Sequence, residues 1–269
     1  MSYLSLSLNS AQLKHTGQVV KGLYDSRYEA KFLYRLPSML PVLVNNYWGL
    51  KAQRVCVSPR IVTTMKDRDQ FQILIENGTD EKRYYLSDYF GYVESEQVLI
   101  SYIQRIIKDD GISLNTAQDG SVRLTVPPNF MVTIGNKLTA ALGLLQMASS
   151  STKFFSIFLS GEYQGLPSVK DCFKAIFQDP VQTVYMATDV IRPQIFCNKL
   201  EPILCSLRPG GVEKNSQIFA DIIQSPISSM SIYFLDQHGD PIYFSCPYSD
   251  SSAALFSVDL EFKKLVIFG

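Results

Sequence analysis

The chain has 269 residues, of which 46% are hydrophobic and only 19% are charged. Its 25 basic residues balance its 25 acidic residues, so the formal net charge is zero. Because proteins that bind phosphate draw affinity from an excess of lysine and arginine, this balance argues against a dominant role in nucleic-acid binding. The abundant apolar and aromatic residues exclude a disordered chain.

The low share of charged residues leaves two interpretations open. The chain is either an ordinary neutral protein or a subunit that hides much of its surface in an assembly. Zero net charge with few charged residues gives a monomer poor solubility, which favours the second interpretation.

The cysteines and histidines do not suggest a cross-linked or metal-bound fold. The cysteine number is odd, and no pair has C-x-x-C spacing, so we expect reduced thiols rather than a disulfide framework. Neither His15 nor His238 has metal-ligand spacing to a cysteine, so we expect no structural zinc and no other cofactor. The cysteines are Cys56, Cys172, Cys197, Cys205 and Cys246.

Targeting signals are not evident in the sequence. The first 15 residues lack a basic start followed by an apolar stretch, so we expect no secretory signal peptide. No apolar run approaches the 18 residues that suggest a membrane-spanning helix, so we expect no membrane span. The sequon at Asn77-Gly78-Thr79 is therefore interpreted as a turn.

The first third of the chain is predicted to form short strands. Residues 28–36 and 51–63 are rich in apolar and β-branched residues, and each is interrupted or ended by a proline. Residues 71–76 form a strand pattern that ends at Asn77-Gly78, a strong signal for a two-residue hairpin. Residues 82–86 are the expected partner strand.

A helix is predicted next, near residues 95–110. Its apolar side chains recur at helical spacing and form one face, which we expect to pack in a core: Leu99, Tyr102, Ile103, Ile106 and Ile107. Ser95 is the expected N-cap, and Gly111 follows the C-terminal end. Because Asp109 and Asp110 lie at the negative end of the helix dipole, we expect the last turn to fray.

The rest of the chain is mostly predicted as strands. A turn at Asp119-Gly120, a short helical run over 137–145 and an exposed Ser/Thr-rich stretch over 148–153 precede a poorly patterned region. From residue 181 onward, short apolar segments alternate with turn residues, including a hairpin over 231–244. Such spacing is typical of a β-sandwich or jelly roll.

A search for catalytic motifs finds none. The sequence contains no nucleophile elbow, zinc-protease motif, P-loop or dinucleotide fingerprint. Segment 161–165 contains two glycines but lacks a following lysine and hydroxyl residue, so we predict a loop. We therefore expect no catalytic, cofactor-binding or metal-binding residues, and no enzyme.

One short segment of the sequence places two acids beside a histidine. Asp236, His238 and Asp240 could form a general base, since a carboxylate can orient a histidine. The three residues lie among turn formers, however, so we predict a turn that satisfies its own backbone. We expect His15, in a polar stretch, to be exposed to solvent.

The C-terminal third resembles a known protein family. Residues 184–195, with Pro202-Ile203-Leu204, are similar to a segment of the penton-type minor capsid proteins of Polinton/Maverick elements, virophages and adintoviruses. The order continues through Ser225-Pro226-Ile227, the hairpin at 230–244 and Leu260-Glu261-Phe262. Upstream, 122–144 resembles the family's strand-then-helix segment, and the helix near 95–110 has a counterpart in the family as well. Arg192 and Phe196-Cys197-Asn198 depart from the family pattern.

The resemblance implies a fold and a domain arrangement. It implies an all-β fold, an antiparallel jelly-roll β-sandwich with an α/β insertion that carries one amphipathic helix. We expect residues 1–60 and 180–269 to form the jelly roll and residues 61–179 to form the insertion.

The resemblance also implies a function. It implies a structural capsid protein of the virion, assembled inside the host cell, that forms homopentamers at the five-fold vertices beside a double-jelly-roll major capsid protein. Exposed Tyr and Phe side chains and the tail 265–269 are candidates for subunit contacts. The alternative is a non-catalytic β-sandwich module that binds carbohydrate or protein.

Overall fold

The computed structural model describes residues 3–22, 25–41, 43, 46–58, 60–63, 68–89, 93, 95–166, 173, 176–177, 181–214, 219–223, 226–247 and 255–266. In chain order, the strands are β1 (Tyr3–Asn9), β2 (Lys14–His15), β3 (Val19–Lys21), β4 (Asp25–Glu29), β5 (Lys31–Leu40), β6 (Asn46–Val57), β7 (Ile61–Thr63), β8 (Gln72–Asn77), β9 (Asp80–Tyr85), β10 (Ser113–Thr116), β11 (Val122–Val126), β12 (Phe130–Gly135), β13 (Ser150–Ser151), β14 (Phe155–Phe158), β15 (Gly161–Gln164), β16 (Val184–Thr188), β17 (Gln194–Phe196), β18 (Lys199–Glu201), β19 (Ile203–Leu207), β20 (Val212–Lys214), β21 (Ala220–Asp221), β22 (Ile227–Leu235), β23 (Ile242–Pro247) and β24 (Phe256–Val266). The α-helices are α1 (Glu96–Ile107) and α2 (Asn136–Ala141), and 3-10 turns occupy Ser10–Gln12, Arg68–Phe71, Leu86–Asp88, Lys108–Asp110 and Leu145–Met147.

The chain forms two compact units. The first comprises residues 1–20, 26–64 and 181–269, and the second comprises residues 21–25 and 65–180. Strands dominate both, and the register of the described ladders is antiparallel. The prediction of a largely β, antiparallel protein is therefore confirmed.

The first unit contains the strand order of a jelly roll. One five-stranded sheet has the order β1-β24-β6-β20, with the short β21 also paired to β6, and the facing five-stranded sheet has the order β19-β16-β22-β5-β2. The first strand pairs with the last, with Tyr3 opposite Lys263, and each sheet takes strands from both the N-terminal and C-terminal parts of the unit. This is the double Greek key of an eight-stranded jelly roll.

The core of the first unit lies between these two sheets. In β1, Leu6 and Leu8 are buried while Ser5 and Ser7 are exposed, as expected for a strand with one face in the core. An aromatic cluster joins the sheets. The ring centroid of Phe256 lies 4.9 Å from that of Phe234 and 5.0 Å from that of Phe32.

A third sheet has the order β3-β4-β23-β7. The chain passes from this sheet to the next at Ala30, between β4 and β5. The Ala30 N–H donates to the Ile242 carbonyl at 2.9 Å, and its own carbonyl accepts from the Phe234 N–H at 3.0 Å. Because Ala30 is buried and bonded to both β22 and β23, one continuous stretch of backbone connects the two sheets.

The second unit has its own core. Its sheets have the orders β13-β14-β12-β8-β9 and β10-β11-β15, and α1 and α2 pack in the same unit. The predicted helix is confirmed as α1, which buries Leu99, Ile100, Ile103 and Ile107. The hydroxyl of Ser95 accepts the Val98 N–H at 3.3 Å, so the predicted N-cap is confirmed as well.

The end of α1 differs from the expectation. Instead of fraying, the chain tightens into a 3-10 turn that ends at Gly111 with φ of 74°. The reason is that Asp110 is buried and has partners on β9. Its carboxylate accepts a hydrogen bond from the Tyr84 hydroxyl at 2.8 Å and forms an ion pair with Lys82. Burial, and then the bond to Asp110, raise the pKa of Tyr84.

Two local predictions need correction. The hairpin at Asn77 exists, but Asn77 pairs with Asp80, so the turn residues are Gly78 and Thr79. Gly78 has φ of 61°, as a glycine-first hairpin turn requires. The predicted loop at 161–165 is wrong because 161–164 form β15, which pairs with the otherwise open edge of β11.

His15 was predicted to be exposed, and that prediction is wrong. The residue is half-buried in β2, and its Nε2 lies 2.7 Å from the Glu29 carbonyl. Its ring packs edge-on against Tyr28, at 5.5 Å, and Phe32, at 5.3 Å between centroids. A short strand that pairs with β5 thus holds the imidazole against the sandwich.

Candidate interaction surface

A short hairpin, residues 194–201, projects from the first unit. Strands β17 and β18 pair as Gln194 with Glu201, Ile195 with Leu200 and Phe196 with Lys199. The two turn residues, Cys197 and Asn198, have φ of 49° and 61°. Positive φ at both positions is the type I′ geometry, whose twist matches that of the strands. We refer to residues 194–201 as the 194–201 hairpin.

One face of the 194–201 hairpin is fixed to the jelly roll. The ring of Phe196 lies 4.4 Å from the ring of Tyr185, between centroids. The Lys199 ammonium donates to the Gly239 carbonyl at 3.3 Å, and Glu201 accepts from the Tyr233 hydroxyl at 3.0 Å. These contacts hold both strands against β16, β22 and the turn that follows β22.

Further contacts fix the base and the tip of the hairpin. The Gln194 side chain donates to the Ile203 carbonyl at 3.1 Å, and the Cys197 Sγ donates to the Gln237 carbonyl at 3.4 Å. At the tip, a Cβ on Gly239 would lie 3.2 Å from the Cys197 Cβ, and Gly239 has φ of 76°. The close approach of the tip to this turn therefore requires glycine.

The opposite face of the hairpin is apolar and exposed. Ile195 is 82% exposed and Leu200 is 70% exposed, and the two lie directly across from each other. Because successive side chains of a strand point to opposite faces, the inward face carries Gln194, Phe196, Lys199 and Glu201. On that face Phe196 and Glu201 are half-buried and Gln194 and Lys199 remain exposed, while the opposite face leaves its aliphatic pair in solvent.

A cleft of about 340 Å³ lies beside the hairpin. Two acidic and two basic side chains line it, together with Tyr233: Glu29, Glu201, Lys31 and Lys199. Burial, and then the bond to Glu201, raise the pKa of Tyr233, so the phenol stays protonated at neutral pH. The charged side chains of the cleft therefore balance, and the cleft offers both hydrogen-bond donors and hydrogen-bond acceptors.

The acid–histidine cluster forms the predicted turn. One carboxylate oxygen of the buried Asp236 accepts the N–H groups of His238, at 2.8 Å, and Asp240, at 3.0 Å. The side chain of His238 is exposed, and the segment connects β22 with β23. The carboxylate thus satisfies the backbone of its own turn, as the sequence interpretation proposed.

Other predicted candidates are placed as follows. Within the described residues, Cys56, Cys197, Cys205 and Cys246 form no disulfide, and Cys172 lies outside them. No group of three or more His, Cys, Asp or Glu side chains in that described part is arranged to hold a metal ion. Of the tail, Leu265 and Val266 end β24, and 267–269 lie outside the described residues. No described helix is both long enough and apolar enough to cross a bilayer.

These features define an antiparallel jelly roll with a hairpin on its surface that exposes two aliphatic side chains. No sequence model of a known family matches the chain, and no curated protein does. Among solved structures, the selenomethionine-labelled mavirus penton protein aligns over 98% of this chain and 100% of its own, with 11% identity and a TM-score of 0.43. A chain in the cryo-EM structure of the Sputnik virophage aligns over 96% and 97%, with 8% identity and a TM-score of 0.41.

Proposed function

We propose that this chain is a structural capsid protein of the penton type. The observation that carries the proposal is the strand order of the first unit, in which β1 pairs with β24 and two five-stranded sheets enclose one core. Jelly rolls of this kind serve in viral capsids and in lectins. The sequence resemblance over 184–262 favours the capsid role.

In this role the protein forms a homopentamer at the five-fold vertices of an icosahedral capsid, beside the major capsid protein. Five copies around a closed axis need interfaces in which two different surfaces of each chain meet. The chain suits such packing because its zero net charge does not oppose self-association. The protein is assembled inside the host cell and resides in the virion.

The second compact unit is, in this proposal, an insertion within the jelly roll. Its main segment, residues 65–180, leaves the jelly roll after β7 and returns before β16, and the unit has a separate hydrophobic core. Replacement of residues 65–180 by a short Gly/Ser linker should therefore leave a folded β domain, detected by circular dichroism and cooperative unfolding. Loss of both signals would contradict the arrangement.

The work of the protein is proposed to be structural rather than catalytic. The carboxylate of Asp236 is committed to its own turn, and Glu201 is committed to Tyr233. Both of these carboxylates thus have structural partners.

Negative-stain imaging of the purified full-length protein tests the proposal. We expect ring-shaped particles whose class averages show five-fold symmetry. Particles of the size of a single chain at every concentration, or rings with another symmetry, would overturn the assignment.

The cleft beside the 194–201 hairpin favours one other candidate, a binding module for carbohydrate or protein. Paired carboxylates, ammonium groups and a tyrosine suit polar ligands. A saturable glycan titration that Glu201→Gln or Tyr233→Phe weakens, by a protein that remains monomeric, would favour this module over the penton.

A further inference from the structure

The 194–201 hairpin presents its aliphatic side chains to solvent although its polar side chains have partners in the jelly roll. Among the large apolar residues described in the first unit, Ile195 and Leu200 are the most exposed, ahead of Met39 at 61%. Scattered apolar residues are normal on a surface, but an aligned pair with a polar inner face is not explained by the packing of one chain. Contact with another molecule would explain it.

The pair is also held in place before any partner arrives. Phe196, Lys199 and Glu201 each contact a different part of the jelly roll, and the turn has the geometry that suits a two-residue hairpin. A surface that is already rigid loses little conformational entropy on association, so its apolar area contributes efficiently to affinity.

The charges around the 194–201 hairpin indicate what kind of molecule binds its exposed face. The charged side chains that line the adjoining cleft comprise two acids and two bases, and the whole chain carries 25 residues of each sign. A nucleic acid or an anionic lipid surface would require a positive excess. A neutral surface with both signs is complementary to another neutral surface with both signs, which a second copy of this chain supplies.

Area indicates how the second copy binds. A stable interface buries about 1,600 Å² in total, and two side chains supply only a small part of that. A contact between two hairpins alone would be too small. In a ring, each copy can place its hairpin on a different, larger surface of its neighbour.

We propose that Ile195 and Leu200 are contacts between neighbouring copies in the ring, with the hairpin of one copy packed on the next. This inference rests on the proposed pentamer and names the part of the surface that builds it.

Sedimentation velocity of the full chain tests the contact. We expect Ile195→Thr/Leu200→Thr to shift the sedimenting mass from about 150 kDa toward the 30.3 kDa of one chain, with the dissociation constant raised at least ~100-fold. Met39→Thr, which removes an exposed apolar side chain from β5, is the matched control and should leave the mass unchanged. A double variant that keeps the wild-type mass would overturn the contact.

A second measurement needs no variant. Cys197 is exposed at the tip of the hairpin, so a thiol reagent should label it quickly in dilute, dissociated protein and at least ~10-fold more slowly in the assembly. Equal labelling in both states would also overturn the contact. A five-fold ring that survives the double substitution overturns this inference alone, whereas a wild-type protein that is monomeric throughout overturns the proposed function as well.

Discussion

The hydroxyl of Tyr233 donates to the carboxylate of Glu201 across 3.0 Å, although 32 positions separate the two residues in the chain. Tyr233 belongs to β22, in the middle of a jelly-roll sheet, whereas Glu201 ends the 194–201 hairpin. This bond therefore connects the hairpin to an inner strand of a jelly-roll sheet.

Tyr233→Phe should reduce the free energy of unfolding by about 1 kcal/mol, because it leaves a partly buried carboxylate without its donor. Urea denaturation at pH 7 measures the change. Glu201→Gln, which keeps an oxygen to accept the bond, should cost less and serves as the control. An unchanged midpoint for Tyr233→Phe would show that the bond does not stabilise the hairpin.

The stability of the folded protein should fall as pH rises through the alkaline range. The pKa values of Tyr233 and Tyr84 are raised above the ordinary value near 10, first by burial and then by Glu201 and Asp110. A raised pKa in the folded state means that the contribution is fully present below pH ~10 and is lost as pH rises beyond it. Urea midpoints measured between pH 8 and pH 11 should therefore fall more steeply for the wild type than for Tyr84→Phe/Tyr233→Phe. An equal fall in the urea midpoint for the two proteins would contradict the raised pKa values of these tyrosines.

The N-cap of α1 should matter for the second unit. Ser95→Ala removes the acceptor of the Val98 N–H and should reduce the free energy of unfolding by about 1 kcal/mol. Circular dichroism during denaturation measures the change. Ser101→Ala is the control, because that hydroxyl only bonds a carbonyl within the helix and alanine favours helix. If both substitutions have the same effect, the capping role is wrong.

The aromatic cluster should dominate the stability of the jelly roll. Phe256 packs against Phe32 and Phe234 and is buried, so Phe256→Ala should cost about 3–5 kcal/mol. Phe154 is 47% exposed in the second unit, and Phe154→Ala should cost at most about 0.5 kcal/mol. Thermal unfolding measures both, and a small effect at Phe256 would place the core elsewhere.

Elements that depend on local pattern could be predicted from the sequence. The spacing of Leu99, Ile103 and Ile107 and the capping residue Ser95 determine α1 within a few positions. The turn between β22 and β23 also follows from local signals, because Asp236 and Gly239 stabilise it. The predicted hairpin over 231–244 is wrong, however, because β22 and β23 pair in different sheets and, among the described residues, are joined only by the bridge between Leu235 and Pro241.

Other features depend on the pairing of strands that are far apart in the chain, and local sequence patterns could not predict them. The turn after β8 is shifted by one position because the ladder pairs Asn77 with Asp80. Residues 161–164 became a strand because β11 offers an edge to them, and no local pattern contains that information. The strand order that defines the jelly roll depends on the pairing of β1 with β24, across the length of the chain.

The candidate surface was the hardest feature to predict. The sequence predicts no strand at Ile195, and only the contacts in the structure reveal that Phe196 packs on Tyr185 while Ile195 faces solvent. The departure from the family pattern at Phe196-Cys197-Asn198 was the one signal in the sequence. Its meaning, a two-residue turn with positive φ at both positions, required the backbone.

The central claim is that copies of this chain close into a ring of five. Native mass spectrometry of the full-length protein tests it most directly, because it counts subunits. We expect a dominant species of about 150 kDa, five times the 30.3 kDa chain. A spectrum that contains only single chains, or a closed assembly with a different number of copies, would contradict the claim.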